Sequence, residues 1–162
     1  MRLITRIILH CSASMEGIDL TGQDILRMHT NPVSQGGRGW KNPGYHYVIR
    51  LNGKVDQILP ETRIANGVKG YNQDSIHICY IGGLMKKEPG KGKSEKSLPA
   101  KLVPANTLTA KQRAAIAALL HDLRIRYPTA TLHGHNEFAA KACPSFKVRE
   151  EFPEMAAWCA TD

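Results

Sequence analysis

The run from Ile4 to Cys11 is the strongest constraint on what this chain can become. It is β-branched and aliphatic almost throughout, and it reads as a buried strand. It also contains a histidine, His10, at its far end. An apolar strand has little use for a histidine there unless the ring has work to do. A strand end is also a rigid platform for a ligand.

The rest of the chain supplies partners for that strand. Thr21 to Thr30 reads as a short helix, with Asp19 or Thr21 as its cap and Pro32 closing it. Tyr45 to Leu51 and Val55 to Leu59 flank Asn52-Gly53, a hairpin signal that predicts a type I′ turn. Ser75 to Ile81 is another strand, ended by Gly82-Gly83. Thr109 and Gln112 form a T-x-x-Q capping box. Ile116, Leu119, Leu120, Leu123 and Tyr127 follow at helical spacing, and Pro128 stops that helix. Thr131 to His133 is a short strand, and Lys147 to Trp158 a last helix interrupted by Pro153. Ser12-Ala13-Ser14, the glycine-rich Gln35–Gly44 and residues 85–106 read as loops. The order predicts one α/β (α+β) domain spanning 1–162, a central mixed sheet flanked by helices.

The chain has 162 residues, 42% of them apolar. That suffices for one globular domain. Nothing approaches the ~18 consecutive apolar residues of a membrane span. The N-terminal apolar run, Ile7-Ile8-Leu9, is far short of the roughly 7–15 residues of a secretion signal. Synthesis in the cytoplasm without a signal peptide is therefore expected. The formal charge of +8 suits a polyanion: nucleic acid, anionic membrane or cell wall. Lys86, Lys87, Lys91, Lys93, Lys96 and Lys101 crowd one Gly/Pro/Ser-interrupted stretch, expected to be a flexible basic loop at about 85–108. The four cysteines form no CxxC pair and no disulfide framework, so each is first read as a reduced thiol.

His135 and Cys143 lie eight positions apart, with Lys141 just before the cysteine. Zinc accepts imidazole nitrogen and thiolate sulfur, and a catalytic zinc has three protein ligands and an open position. His10 is a good third ligand. His133 lies two before His135 and competes for a place. His29, His46, His77 and His121 are scattered without telling spacing. Strand alternation turns Cys11 away from His10, into the core.

These residues resemble a known family. Gly44-Tyr45-His46-Tyr47, Lys69-Gly70-Tyr71-Asn72, Ile81-Gly82-Gly83, and His135 followed by Lys141-Ala142-Cys143-Pro144-Ser145-Phe146 are similar, in order, to the phage-type N-acetylmuramoyl-L-alanine amidases, relatives of the animal peptidoglycan recognition proteins. The likeness runs from His10 to about Phe146. It implies a central mixed sheet with a zinc cleft on one face, and Zn2+ held by His10, His135 and Cys143. It also implies Tyr45 and Lys141 as catalytic helpers and peptidoglycan as substrate. The amide cut would join muramic acid to L-alanine. Trp40 and Asn66 are expected to contact substrate, and the enzyme is expected to act as a monomer.

Two departures stand out. Many relatives carry a histidine just before Lys-Gly-Tyr-Asn, where this chain has Ala65-Asn66-Gly67-Val68. The Lys86–Leu108 segment looks longer and more basic than in compact phage enzymes. Two other readings compete with the enzyme. One is a peptidoglycan-binding module without catalysis, disfavoured because Cys143, Tyr45 and Lys141 are all present. The other is a basic nucleic-acid-binding domain with structural zinc, which needs a fourth ligand such as His133. No nucleic-acid partner is expected.

Overall fold

The computed structural model describes residues 2–87 and 101–159. A five-stranded sheet forms the centre, in the order β4-β3-β5-β1-β8. Its strands are β1 (Arg6–Cys11), β3 (Tyr47–Ile49), β4 (Val55–Gln57), β5 (Ser75–Tyr80) and β8 (Thr131–Gly134). β1 lies between β5 and β8, parallel to both, and β3 runs parallel to β5. Only β4 is antiparallel, paired to β3 through the hairpin. The expected mixed sheet is therefore present.

Register sorts the side chains onto two faces. Ile7 pairs with Ile76 and Leu132, Leu9 with Ile78, and Cys11 with Tyr80. Together with Tyr47 and Ile49 they pack against Ile116, Leu120 and Leu123 of helix α2 (Ala110–Arg126) and against Phe152, Met155 and Trp158. Cys11 does go into this core. The opposite face carries Ile8, His10, His77, Cys79 and Val48. Helix α1 (Gly22–Thr30) covers part of it, with Ile25 against Val48 and Ile81. The apolar face thus fixes the sheet, and the histidines share the other side.

Both helices begin on a capping box. In α1 the cap is Thr21, whose side chain accepts from the Asp24 amide. Asp19, the other candidate, pairs with Arg50 at 3.1 Å instead. In α2, Thr109 Oγ1 accepts from Gln112 N and donates to Leu51 O. The fully buried Gln112 side chain accepts from Thr109 N through Oε1 and donates to Ile49 O and Ile81 O through Nε2. One box therefore starts the helix and stitches it to the sheet. Thr109→Ala is expected to cost about 1–2 kcal/mol, the upper range for a cap. Chemical denaturation should show a lower midpoint at unchanged slope.

Several local expectations are corrected. Residues 85–106 are not loop throughout: β6 (Gly83–Lys86) and β7 (Leu102–Pro104) pair antiparallel. With β2 (Ser14–Met15), whose Ser14 was expected in a loop, they make a second sheet in the order β2-β6-β7. Strands of two to four residues carry too little alternation to be read from sequence. The rest of the expected basic loop, residues 88–100, lies outside the described residues. At Asn52-Gly53 only the glycine has positive φ, 84°. Gly53 N bonds to Arg50 O, and Arg50 N to Lys54 O. This is a three-residue loop closed by a left-handed glycine, not the two-residue type I′ turn, which needs positive φ at both central residues. The last helix is only α3 (Val148–Glu151), followed after Phe152 by a 3₁₀ segment, Pro153–Trp158. Both hairpin strands and β1 are shorter than expected.

Candidate metal centre and cleft

β1 delivers His10 at its end, buried at 1% exposure. β8 runs beside it and ends at Gly134, so His135 opens the next 3₁₀ turn, His135–Glu137, next to His10. The two Nδ1 atoms are 3.2 Å apart. Cys143 comes from the following loop, with Sγ 3.8 Å from His10 Nδ1. The three donor atoms lie within 4.8 Å of one another.

That loop is held from several sides. Tyr80 Oη donates to Pro144 O at 2.8 Å, and Ser145 Oγ donates to Gly83 O at 3.0 Å. Asn136 Nδ2 reaches Phe146 O. Gly83 permits the approach: its φ is 99°, and a Cβ there would lie 2.5 Å from Cys11 Sγ. Beneath the loop, Cys11 N donates to Cys143 Sγ at 3.3 Å, a bond that favours a thiolate.

Charge suits a cation here. Burial, reinforced by His77, His135 and Lys141, drives the His10 imidazole well below its ordinary pKa. Burial and then Lys141 also lower His135. Both rings are thus neutral and able to ligate. Tetrahedral zinc with nitrogen bonds of about 2.0–2.1 Å would separate two nitrogens by about 3.3 Å, and a nitrogen from a sulfur by about 3.6 Å. The observed 3.2 and 3.8 Å are close to two of these three spacings, and His135 and Cys143 lie within 4.8 Å of each other.

His133, the rival ligand, is engaged elsewhere: its Nδ1 meets Glu137 at 3.0 Å and its Nε2 meets Thr131 Oγ1 at 2.7 Å. The described residues thus gather three candidate ligands, not the four of a structural zinc.

Tyr45 stands just before β3, half-buried, its ring centroid 5.0 Å from that of His10. Burial holds its hydroxyl well above the ordinary phenol range, with Cys79 and Cys143 adding to the shift. Lys141 is exposed. Trp40, half-buried, packs on His29 at 4.9 Å, and His29 in turn on Tyr45 at 5.3 Å. A ring path therefore links the glycine-rich loop to the centre. Asn66 is exposed, and its backbone amide bonds Pro43 O, beside Gly44 and Tyr45.

The sequence reading passed over three histidines that are buried here. His29 Nδ1 accepts from Gly44 N at 3.1 Å. His46 Nδ1 accepts from His77 N at 3.0 Å, and its Nε2 meets Arg63 O at 2.9 Å. His77 Nδ1 lies 2.9 Å from His10 Nε2. One signal was available for the last: a histidine in the middle of an isoleucine-rich central strand must find a polar partner.

Comparison with known proteins identifies the family and the fold. Residues 1–146 match the family model described as N-acetylmuramoyl-L-alanine amidase. The endolysin of Enterobacteria phage K11 is 32% identical over 145 residues, 90% of this chain and 83% of that protein. The endolysin of Escherichia phage T7 is 33% identical over 143 residues, covering 88% and 82%. Among solved structures, the Ph2119 endolysin from the Thermus scotoductus MAT2119 bacteriophage superposes with TM-score 0.69 at 26% identity, covering 95% and 86%. Bumblebee PGRP-SA shares the fold at TM-score 0.68 and 20% identity, covering 100% and 87%.

Proposed function

The chain belongs to the N-acetylmuramoyl-L-alanine amidase family, and on that premise we propose that it holds zinc on His10, His135 and Cys143 and works with Tyr45 and Lys141. It is a peptidoglycan amidase. The observation that carries the zinc reading is the convergence of two neutral imidazoles and one thiol within 4.8 Å. Bound there, zinc would supply Lewis acidity toward a carbonyl oxygen and bring the pKa of water down toward about 7.

The protein's own groups do the rest. The Cys11 amide steadies the sulfur of Cys143. The scissile amide joins the lactyl group of muramic acid to L-alanine, and water attack on its carbonyl puts negative charge on the oxygen. Lys141, an exposed ammonium whose charge is felt at His10 and His135, stabilises that charge, and one such donor is worth about 10²–10³-fold in rate. The Tyr45 hydroxyl, its ring 5.0 Å from that of His10, orients the reactants through a hydrogen bond. Trp40 offers an aromatic face to sugar at the rim, and Asn66 a polar contact on the wall. The lysines between positions 85 and 108 suit an anionic wall by their charge. No described helix is long and apolar enough to cross a membrane. The relatives named endolysins support a role in wall lysis.

The test is product identification. Peptidoglycan incubated with the protein should release stem peptides with a free L-alanine amine, detected by mass spectrometry. Release should stop on chelation and return with zinc. Intact glycan–peptide links in zinc-replete protein would point instead to a binding module.

A further inference from the structure

The ring nitrogen of His10 that faces away from the metal centre is not free. His10 Nδ1 looks toward His135 and Cys143, while Nε2 meets His77 Nδ1 at 2.9 Å. We propose that His77 is a positioning residue that fixes the tautomer and orientation of His10 by accepting its Nε2 proton. The inference rests on His10 being a zinc ligand through Nδ1.

The proton inventory permits one arrangement. A neutral His10 that ligates through Nδ1 carries its proton on Nε2. That N–H must be satisfied, because the ring is buried. His77 Nδ1 is the acceptor within reach, so the His77 proton sits on its own Nε2. That N–H is buried without a hydrogen-bond partner among the described residues, a cost that the bond between His10 and the metal offsets. In the reverse arrangement His77 Nδ1 donates, His10 carries its proton on Nδ1, and the ligating lone pair is lost. Metal-bound histidines commonly use such a partner on the second nitrogen, and its loss costs about 10–100-fold in metal affinity.

The surroundings hold the His77 ring in place. It lies parallel to the His46 ring, with 6.0 Å between centroids and 3° between planes. The His77 backbone N–H donates to His46 Nδ1, and the two rings are fully buried. The third wall is Gly67. A Cβ on Gly67 would lie 2.5 Å from His77 Nδ1 and 2.7 Å from Gly44 O. No side chain at position 67 can therefore coexist with His77 as it stands. The stretch before Lys69-Gly70-Tyr71-Asn72 lacks a histidine, and the imidazole from β5 occupies the space beside it.

The readout is zinc affinity, measured by competition with a chromogenic chelator, on parent, His77→Leu and His77→Asn. Leucine removes the acceptor. Asparagine can offer Oδ1 near the place of Nδ1. Expected is a dissociation constant about 10–100-fold weaker for His77→Leu, recovered to within about threefold in His77→Asn. A His77→Leu protein that folds by circular dichroism and binds zinc like the parent would overturn the proposal. Long-range 1H–15N spectra of the zinc-free parent test it without a variant, should leucine prevent folding. His10 protonated on Nε2 supports the proposal, and His10 protonated on Nδ1 overturns it. A parent that binds no zinc at all refutes the metal reading itself, which is a different outcome from equal binding by parent and variant.

Discussion

Cys143→Ser is expected to abolish peptidoglycan hydrolysis while leaving a folded protein. The loss should exceed about 100-fold, the upper figure for removing a mere outer-shell partner of a metal. A serine hydroxyl does not ionise at neutral pH and is a harder, poorer zinc donor than thiolate. Folding should survive because Cys143 is only half-buried and its loop is tied by other groups, through Tyr80, Asn136 and Ser145. A serine oxygen can still accept the Cys11 amide. Zinc titration should show weakened binding, and peptide release by mass spectrometry should fall to background. Retention on insoluble peptidoglycan should persist, since the cleft walls are untouched. Full-rate cleavage by the variant would remove Cys143 from the metal site.

The cluster of His10, His135 and Cys143 was legible in sequence partly for a physical reason and otherwise through the family resemblance. His10 interrupts an apolar strand that burial alone would not interrupt, and the His135–Phe146 block is local, so its spacing survives as a pattern. The helices were legible because each carries its own cap: Thr21 with Asp24, Thr109 with Gln112. What was not legible depends on distant partners. Gln112 reads as half of a capping box, yet its side chain also binds two carbonyls of other elements. His29, His46 and His77 read as scattered because their partners are Gly44, Arg63 and His10, known only once the sheet is assembled. The stretch at Gly67 reads as a missing histidine. In space it is the clearance that His77 requires. The small sheet escaped because β2, β6 and β7 are short and only partly buried.

Acid should unfold the zinc-free protein well above the pH at which carboxylates titrate. Burial pushes His29 down to about 4, helped by Arg38. Burial also pushes His46 down to about 4, with the Arg63 carbonyl opposing and Arg2 adding. In the unfolded chain both return to about 6.5. As pH falls below 6.5 the unfolded chain binds protons that the folded chain refuses, so stability is full above that value. It is lost progressively down to about 4. Two such histidines remove on the order of 4 kcal/mol between pH 7 and pH 5, a large share of the roughly 5–15 kcal/mol that holds a domain. His77, driven well below its ordinary pKa by burial and then by His46, His135 and Arg2, steepens the fall. Glu61 acts only later. Burial alone would raise its carboxyl, but Tyr127, Tyr47 and Arg126 outweigh that and hold it low, so its contribution goes only below about pH 4.5. Urea midpoints at pH 7, 6 and 5 should therefore drop at both steps, and more at the second. A midpoint that stays level to pH 5 would mean that His29 and His46 take up protons in the folded protein. The bonds His46 makes to His77 N and Arg63 O, one accepted and one donated, would then have to be reassigned.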